Sequence, residues 1–366
     1  MLNIHEQDIH LPAISEDQVS DASVLVEIAQ LKSELQDQVL ILGHHYQSND
    51  IISFADYRGD SLALAKKAAN AHKKYIIFCG VYFMAETADI LTSDQQTIIL
   101  PDLNAGCSMA DMAVAKDITR AWSEIAFWTS QKIVPITYIN CSADLKSFVG
   151  LHGGSICTSS NAKKVISWAL EQGEKLFFFP DQHLGRNTCL DLGIPANEIV
   201  VYDPNLIQGG LTKKQVQMAK VILWYGYCSV HKGFTAEQVR HVKKSGPETT
   251  VIVHPECSRD VVELADLNGS TSFIIDVIQN APSGSSFAVG TEINLVNRLN
   301  EQFPDKHIFS LSPYQCLCTT MYRVRPRWLL QALRKIKDDD PINVIKVSPD
   351  VKRNALNALN RMFECS

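Results

Sequence analysis

The chain has 366 residues, with 40 acidic against 34 basic side chains and a net charge of −6. That length holds two or three domains with their own cores, and that charge argues against nucleic acid as the main partner. No run approaches about 18 consecutive apolar residues, which excludes a membrane-spanning helix. Ten cysteines scattered over this length do not make a disulfide framework, so metal ligation or reduced buried thiols are expected. The opening Met1-Leu2-Asn3-Ile4-His5-Glu6-Gln7-Asp8 has neither a basic start nor an apolar stretch, so a secretory leader is not expected and a cytoplasmic enzyme is.

In chain order, apolar spacing at Val24, Leu25, Ile28, Leu31 and Leu35 predicts a helix packed on the first of three repeats. A strand at Leu40-Ile41-Leu42 then ends in His44-His45-Tyr46. A serine turn at Gly59-Asp60-Ser61 opens a helix, a strand at Tyr75–Phe78 ends in Gly80, and a helix at Phe83–Leu91 and a strand at Thr97–Leu100 lead to Cys107. The same order returns with Tyr138-Ile139-Asn140, Thr158-Ser159-Ser160, Pro180-Asp181 and Cys228. It returns again after the strand Thr250–Val253, with His254-Pro255-Glu256, a helix at Arg259–Ala265 and a short strand at Leu267-Asn268. Gly269-Ser270-Thr271 opens the next helix, and Phe287–Val289 ends in Gly290-Thr291-Glu292. A helix from Glu292 to Gln302 and a strand at His307–Leu311 lead to Cys318. His44 to Cys107 and His254 to Cys318 are nearly equal spans, and the middle copy carries an insertion.

Internal repetition fixes architecture before any other feature. Strands alternating with helices predict an α/β protein of three αβα units, each with a small parallel sheet. The expected division is an N-terminal helix plus first unit over 1–118, a second unit over 119–233, a third over 234–323 and a helical tail over 324–366. Linkers are expected near Asp117–Ser123 and Phe234–Gly246.

Ligands on parallel sheets bind beyond the carboxyl ends of strands, where every one of these motifs sits. An isolated cysteine is more often an inert core thiol, and Cys79, Cys141, Cys157, Cys189, Cys257 and Cys365 are read that way. Cys107, Cys228 and Cys318 each follow a unit's last strand, and three thiolates suit a soft metal site with one position left open. Cys316 stands two residues from Cys318 and competes for the same role. Ser61, Ser159, Ser270 and Thr271 sit where helices begin. There they cap the helix and can also place its free N–H groups on a small polyanion. His44, Tyr46, Tyr138, Asn140, His254 and Glu256 are polar strand tips able to move protons or orient carboxylates, and His231 follows Cys228 by one helical step. His183 and Arg186 are as well explained by loop rigidity. No glycine-rich nucleotide fingerprint is present.

Together these stretches resemble the quinolinate synthases, iron–sulfur enzymes of de novo NAD biosynthesis. The resemblance rests on His44-His45-Tyr46-Gln47, Gly59-Asp60-Ser61-Leu62, Phe83–Ala88, Cys107–Ala110, Tyr138–Asn140, Cys157–Ala162, Pro180–Gly185, Cys228–His231, His254–Cys257 and Gly269–Thr271, in family order. It implies three αβα units around a pseudo-threefold axis, with a [4Fe–4S] cluster held by Cys107, Cys228 and Cys318. The third ligand is placed by the methionine in Cys318-Thr319-Thr320-Met321. It implies condensation of iminoaspartate with dihydroxyacetone phosphate to quinolinate, phosphate and two waters. His44, Ser61, Tyr138, Asn140, Ser159, His254, Glu256, Ser270 and Thr271 would bind substrate, and Tyr46, Glu256, His231 and His254 would serve catalysis. Functional coupling to an aspartate oxidase is a further expectation. Tyr322 stands where the family often has asparagine. The competing expectations are an iron–sulfur hydro-lyase on another polycarboxylate, a redox sensor switching at Cys316 and Cys318, and a zinc site on the three cysteines.

Overall fold

The computed structural model describes residues 21–365 apart from Pro247 and Gln315. The segment 1–20, whose opening composition argued against a leader, lies outside the described residues. Among the described residues no helix is long and apolar enough to cross a membrane.

Three parallel sheets repeat one strand order. The first unit contributes β1 (Val39–His44), β2 (Tyr57–Gly59), β3 (Tyr75–Cys79) and β4 (Thr97–Ile99), ordered β2-β1-β3-β4. The second has β5 (Ile133–Tyr138), β6 (Ser155–Cys157), β7 (Lys175–Phe179), β8 (Ile199–Tyr202) and β9 (Val221–Trp224), ordered β6-β5-β7-β9-β8. The third has β10 (Thr250–Val253), β11 (Leu267–Asn268), β12 (Ser286–Gly290) and β13 (His307–Ser310), ordered β11-β10-β12-β13. The insertion in the middle copy is therefore an added edge strand, β8, laid parallel on β9. Every residue of β3 and of β7 is buried, as continuous apolar runs in doubly covered parallel strands require.

Two stretches read as linkers are helical. Asp117–Ser123 lies inside the helix Ala115–Trp128, whose buried Ile118, Ala121, Ile125 and Trp128 have helical spacing. Most of Phe234–Gly246 is the helix Ala236–Ser245, opened by a capping box in which Thr235 and Gln238 bond reciprocally. The tail is not purely helical either. Between the helices Pro326–Lys337 and Pro349–Glu364 runs β14 (Val344–Ile345), which adds antiparallel to β4 as the fifth strand of the first sheet. A two-residue strand lacks the periodicity that would announce it in the sequence.

The units are joined in a ring. Glu86, on the helix after β3, accepts the N–H of Ala143 in the second unit at 3.0 Å. Asn187, on the helix after β7, donates to the carbonyls of Pro255 and Cys257 in the third, both at 2.9 Å. On the helix after β12, Asn294 donates to the carbonyl of Tyr46 at 3.2 Å, and Arg298 to those of His45 and Gln47, in the first. Equivalent helices thus grip the strand tips of the next unit, which aims all three sets of tips at one axis.

The tail clasps two of the units. Its last helix shares a continuous core with the first and second units through Ala355, Leu359 and Met362. Gly150 is the point of closest approach, because a Cβ there would meet the carbonyl oxygen of Asn354 at 1.9 Å. Gly150→Ala is therefore expected to lower stability by about 1–3 kcal/mol, the usual cost of overpacking. Urea unfolding of the purified protein checks this.

Candidate functional site

Each unit's first strand delivers a polar tip to one central cavity. β1 ends at His44 with Tyr46 just beyond, β5 at Tyr138 with Asn140 beyond, and β10 is followed by His254 and Glu256. All six line the cavity. The first and third tips share their local geometry. His44 Nδ1 accepts the N–H of Tyr46 at 3.2 Å, and His254 Nδ1 accepts that of Glu256 at 3.3 Å. An accepting Nδ1 assigns the ring proton to Nε2, leaving each ring one outward donor. Burial, helped by the charge of His45, pushes His44 down to about 3. Burial, helped by His231, does the same to His254. Both rings are therefore neutral at ordinary pH.

One hydrogen-bonded chain crosses the cavity wall from the second unit to the first. Tyr138 donates its hydroxyl to Glu256 Oε1 at 2.6 Å, and Glu256 Oε2 meets His231 Nδ1 at 2.9 Å. His231 Nε2 lies 3.1 Å from the Thr291 hydroxyl, which lies 2.9 Å from that of Tyr46, itself 3.1 Å from Thr271. Burial alone would raise the Glu256 carboxyl. The adjacent His231, with hydrogen bonds from its ring and from the Tyr138 hydroxyl, overcomes it and holds the group well below the usual carboxylate range. Burial and the nearby Glu256 charge raise both Tyr46 and Tyr138, so both phenols keep their protons. His254 stacks on His231 with ring centres 4.4 Å apart. Asn140 Oδ1 is buried and has no partner, an acceptor facing a space that a ligand donor can fill.

Cys107, Cys228 and Cys318 complete the lining, one from each unit. Burial raises all three thiols, Cys107 to about 12. They also feel one another: a Cys318 charge raises Cys107, and charges on Cys107 and Cys318 raise Cys228. Three thiolates converging in a buried space need a cation to stay ionised, and a bound metal deprotonates such groups outright. Cys316 does not line this cavity; it packs, partly buried, against the third unit's core. Among the described residues, the group of ligand atoms lying within 4.8 Å of one another is Cys228, His231 and Glu256. Its histidine and carboxylate are already bonded to each other, to Tyr138 and to Thr291.

The serine turns divide. Ser61, Ser159 and Thr271 line the central cavity. Ser270 does not: its hydroxyl caps the next helix by accepting the Phe273 N–H at 3.2 Å, and it faces an adjoining pocket between the second and third units. The cap of the first turn is Asp60 rather than Ser61, accepting the Ala63 N–H at 2.9 Å. The other Asp60 oxygen accepts from Ser160 at 2.9 Å and Ser272 at 2.6 Å, so one carboxylate ties the three turns together. His183 and Arg186 do not line the cavity. Asp60 and Thr291 are the residues that reading the motifs one at a time passes over. Both sit inside the recurring turns, and only the cross-unit bonds disclose their parts.

Comparison with known proteins places this geometry among relatives. Residues 26–364 match the model of a family described as "NadA: Quinolinate synthetase A protein". A quinolinate synthase of Anoxybacillus flavithermus is 53% identical over 339 residues, covering 92% of both chains. One of Bacillus cereus is 50% identical over 341 residues, again 92% of each. One of Bacillus anthracis is similar to the same degree.

Proposed function

Because the chain belongs to the quinolinate synthetase A family, we propose that it is a quinolinate synthase of NAD biosynthesis, joining iminoaspartate to dihydroxyacetone phosphate and releasing quinolinate, phosphate and two waters. The observation that carries this reading is the convergence of strand tips, serine turns and one cysteine per unit on a single buried cavity. The reaction brings two carboxylates and a phosphate together and shuttles protons between carbons, nitrogen and leaving oxygens, so it needs anion sites and a relay in one place.

Cys107, Cys228 and Cys318 are the thiols we assign to a [4Fe–4S] cluster. The donor set fits it: three soft ligands, one per unit, and no fourth cysteine on the cavity among the described residues. When bound, such a cluster supplies one iron with an open position, a Lewis acid for a substrate oxygen. A single zinc ion would need its three sulfurs within about 4 Å of one another, and these cysteines form no such close group among the described residues.

The protein's own groups have distinct tasks. His44 and His254, kept neutral by burial, present Nε2–H to substrate carboxylate or phosphate oxygens. Ser61, Ser159 and Thr271 add hydroxyl donors, and the Asn140 amide orients a polar substrate group. Glu256, the ionised member of the relay, takes up a proton delivered through the Tyr138 hydroxyl. At the other end, Tyr46 exchanges its hydroxyl proton with the substrate and is recharged through Thr291 and His231. Tight enclosure keeps water off the imine. We place the enzyme in the cytoplasm, with iminoaspartate supplied by an aspartate-oxidising enzyme such as an aspartate oxidase.

The decisive experiment combines iron and sulfide analysis of anaerobically purified protein with an assay of each substrate alone and both together. Quinolinate is expected only when both are present and only from protein containing iron and sulfide. Dehydration of one polycarboxylate alone, or stoichiometric zinc with full activity, would overturn the reading.

A further inference from the structure

One backbone contact docks all three cysteine loops. The N–H of Tyr82 donates to the carbonyl of Ala105 at 2.7 Å, that of Gln182 to Gly226 at 3.0 Å, and that of Ile293 to Cys316 at 3.3 Å. Each acceptor lies two residues before a cavity cysteine, and each donor directly follows Val81, Asp181 or Glu292. The backbone is threefold here, but the side chain at the pivot is not.

Glu292 is buried and caps the helix Ile293–Gln302 through Oε2, accepting from Asn294 at 2.9 Å and Leu295 at 3.4 Å. Its Oε1 accepts the backbone N–H of Cys318 at 3.4 Å. Asp181 repeats the helix cap alone. Fully buried, it caps the helix Gln182–Asp191 through Oδ1, with His183 at 2.7 Å and Leu184 at 2.9 Å. Its Oδ2 is buried without a hydrogen-bond partner, so the bond to a cysteine amide does not recur here. Val81 offers Cys107 no acceptor. That loop is braced instead by Asp102, whose Oδ1 accepts the Asn104 N–H at 2.8 Å and whose Oδ2 accepts from Arg323 at 3.2 Å.

We infer that Glu292 is a positioning residue that holds Cys318 by its backbone amide and so helps retain the iron–sulfur cluster; this rests on the cluster assignment made above. A carboxylate locked by two helix N–H groups cannot swing, so a third N–H resting on it fixes the direction from which the cysteine presents its sulfur. Partners of this kind behind a metal ligand change metal retention by about 10–100-fold.

The test is the first-order rate at which a ferrous chelator strips iron from anaerobically purified holoprotein. Glu292→Ala is expected to release iron about 10-fold faster than the native protein. Glu292→Gln keeps one oxygen for the helix N–H groups but turns an NH2, a donor, toward the Cys318 N–H, so it should preserve the cap and still release iron faster than the native protein. Thr235→Ala removes a helix cap that bonds Gln238 and no cavity cysteine, and should lower the melting temperature without speeding release. A native release rate in Glu292→Ala, or equal acceleration by Thr235→Ala, would overturn the inference. Residue-resolved hydrogen exchange on the native holoprotein tests it without any variant. The Cys318 amide should exchange more slowly than that of Cys107, and the reverse order counts against it. Absence of iron and sulfide from the native protein would instead refute the cluster assignment itself.

Discussion

Cys228→Ala is expected to abolish quinolinate formation and the visible absorption of anaerobically purified protein together. Cys228 is the second unit's contribution to the cavity, and no other thiol of that unit lines it. Cys141, Cys157 and Cys189 are buried in the core away from it, so none can substitute without moving a strand. Iron affinity should fall by more than about 100-fold, since groups merely behind a ligand already account for up to that much. Cys316→Ala is the matched control: its thiol packs against the third unit's core, so colour and turnover should survive. Iron and sulfide content, the absorption spectrum and quinolinate yield read all three. Full activity in cluster-free Cys228→Ala would dispose of the mechanism.

Glu256→Gln should cut turnover by about 10²–10⁴-fold, the span that a positioned acid–base group contributes, while leaving iron content unchanged. Glutamine can still accept from Tyr138 and meet His231, so the wall stays assembled, but it cannot take up a proton. Glu256→Leu adds a structural effect. It strips the Tyr138 hydroxyl and His231 Nδ1 of their buried partner, at about 1–3 kcal/mol for each group left unsatisfied. Single-turnover kinetics with both substrates saturating, beside thermal unfolding, separates the two variants. Equal turnover in Glu256→Gln and the native enzyme would remove the relay from the chemistry.

Much of this was legible in the residues. Continuous apolar runs such as Tyr75–Cys79 mark doubly buried strands because both faces of a parallel sheet are covered. The threefold order of tips, turns and cysteines foretold a shared cavity, and the cavity gathers every expected residue except Ser270. That exception has a plain cause, since a hydroxyl already accepting the Phe273 N–H is turned toward its own helix. The opaque features depend on partners far away in sequence. Thr291 reaches Tyr46 across 245 positions and His231 across 60, and Asp60 reaches Ser272 across 212. Local periodicity carries no trace of such bonds. Nor does it separate Glu292 from Asp181, because helix capping alone accounts for a carboxylate at both positions.

The antiparallel strand β14 bears on the order in which the molecule can be made. Its partner β4 leaves the ribosome early, yet the pairing waits until residues 344–345 have been synthesised, and the clasping helix follows later still. Cys318, the last of the three cavity thiols, precedes both. During synthesis the first sheet is thus left with an open edge, and the first and second units stay unclasped until all three thiols have emerged. The tail joins this fold only after all three thiols have emerged.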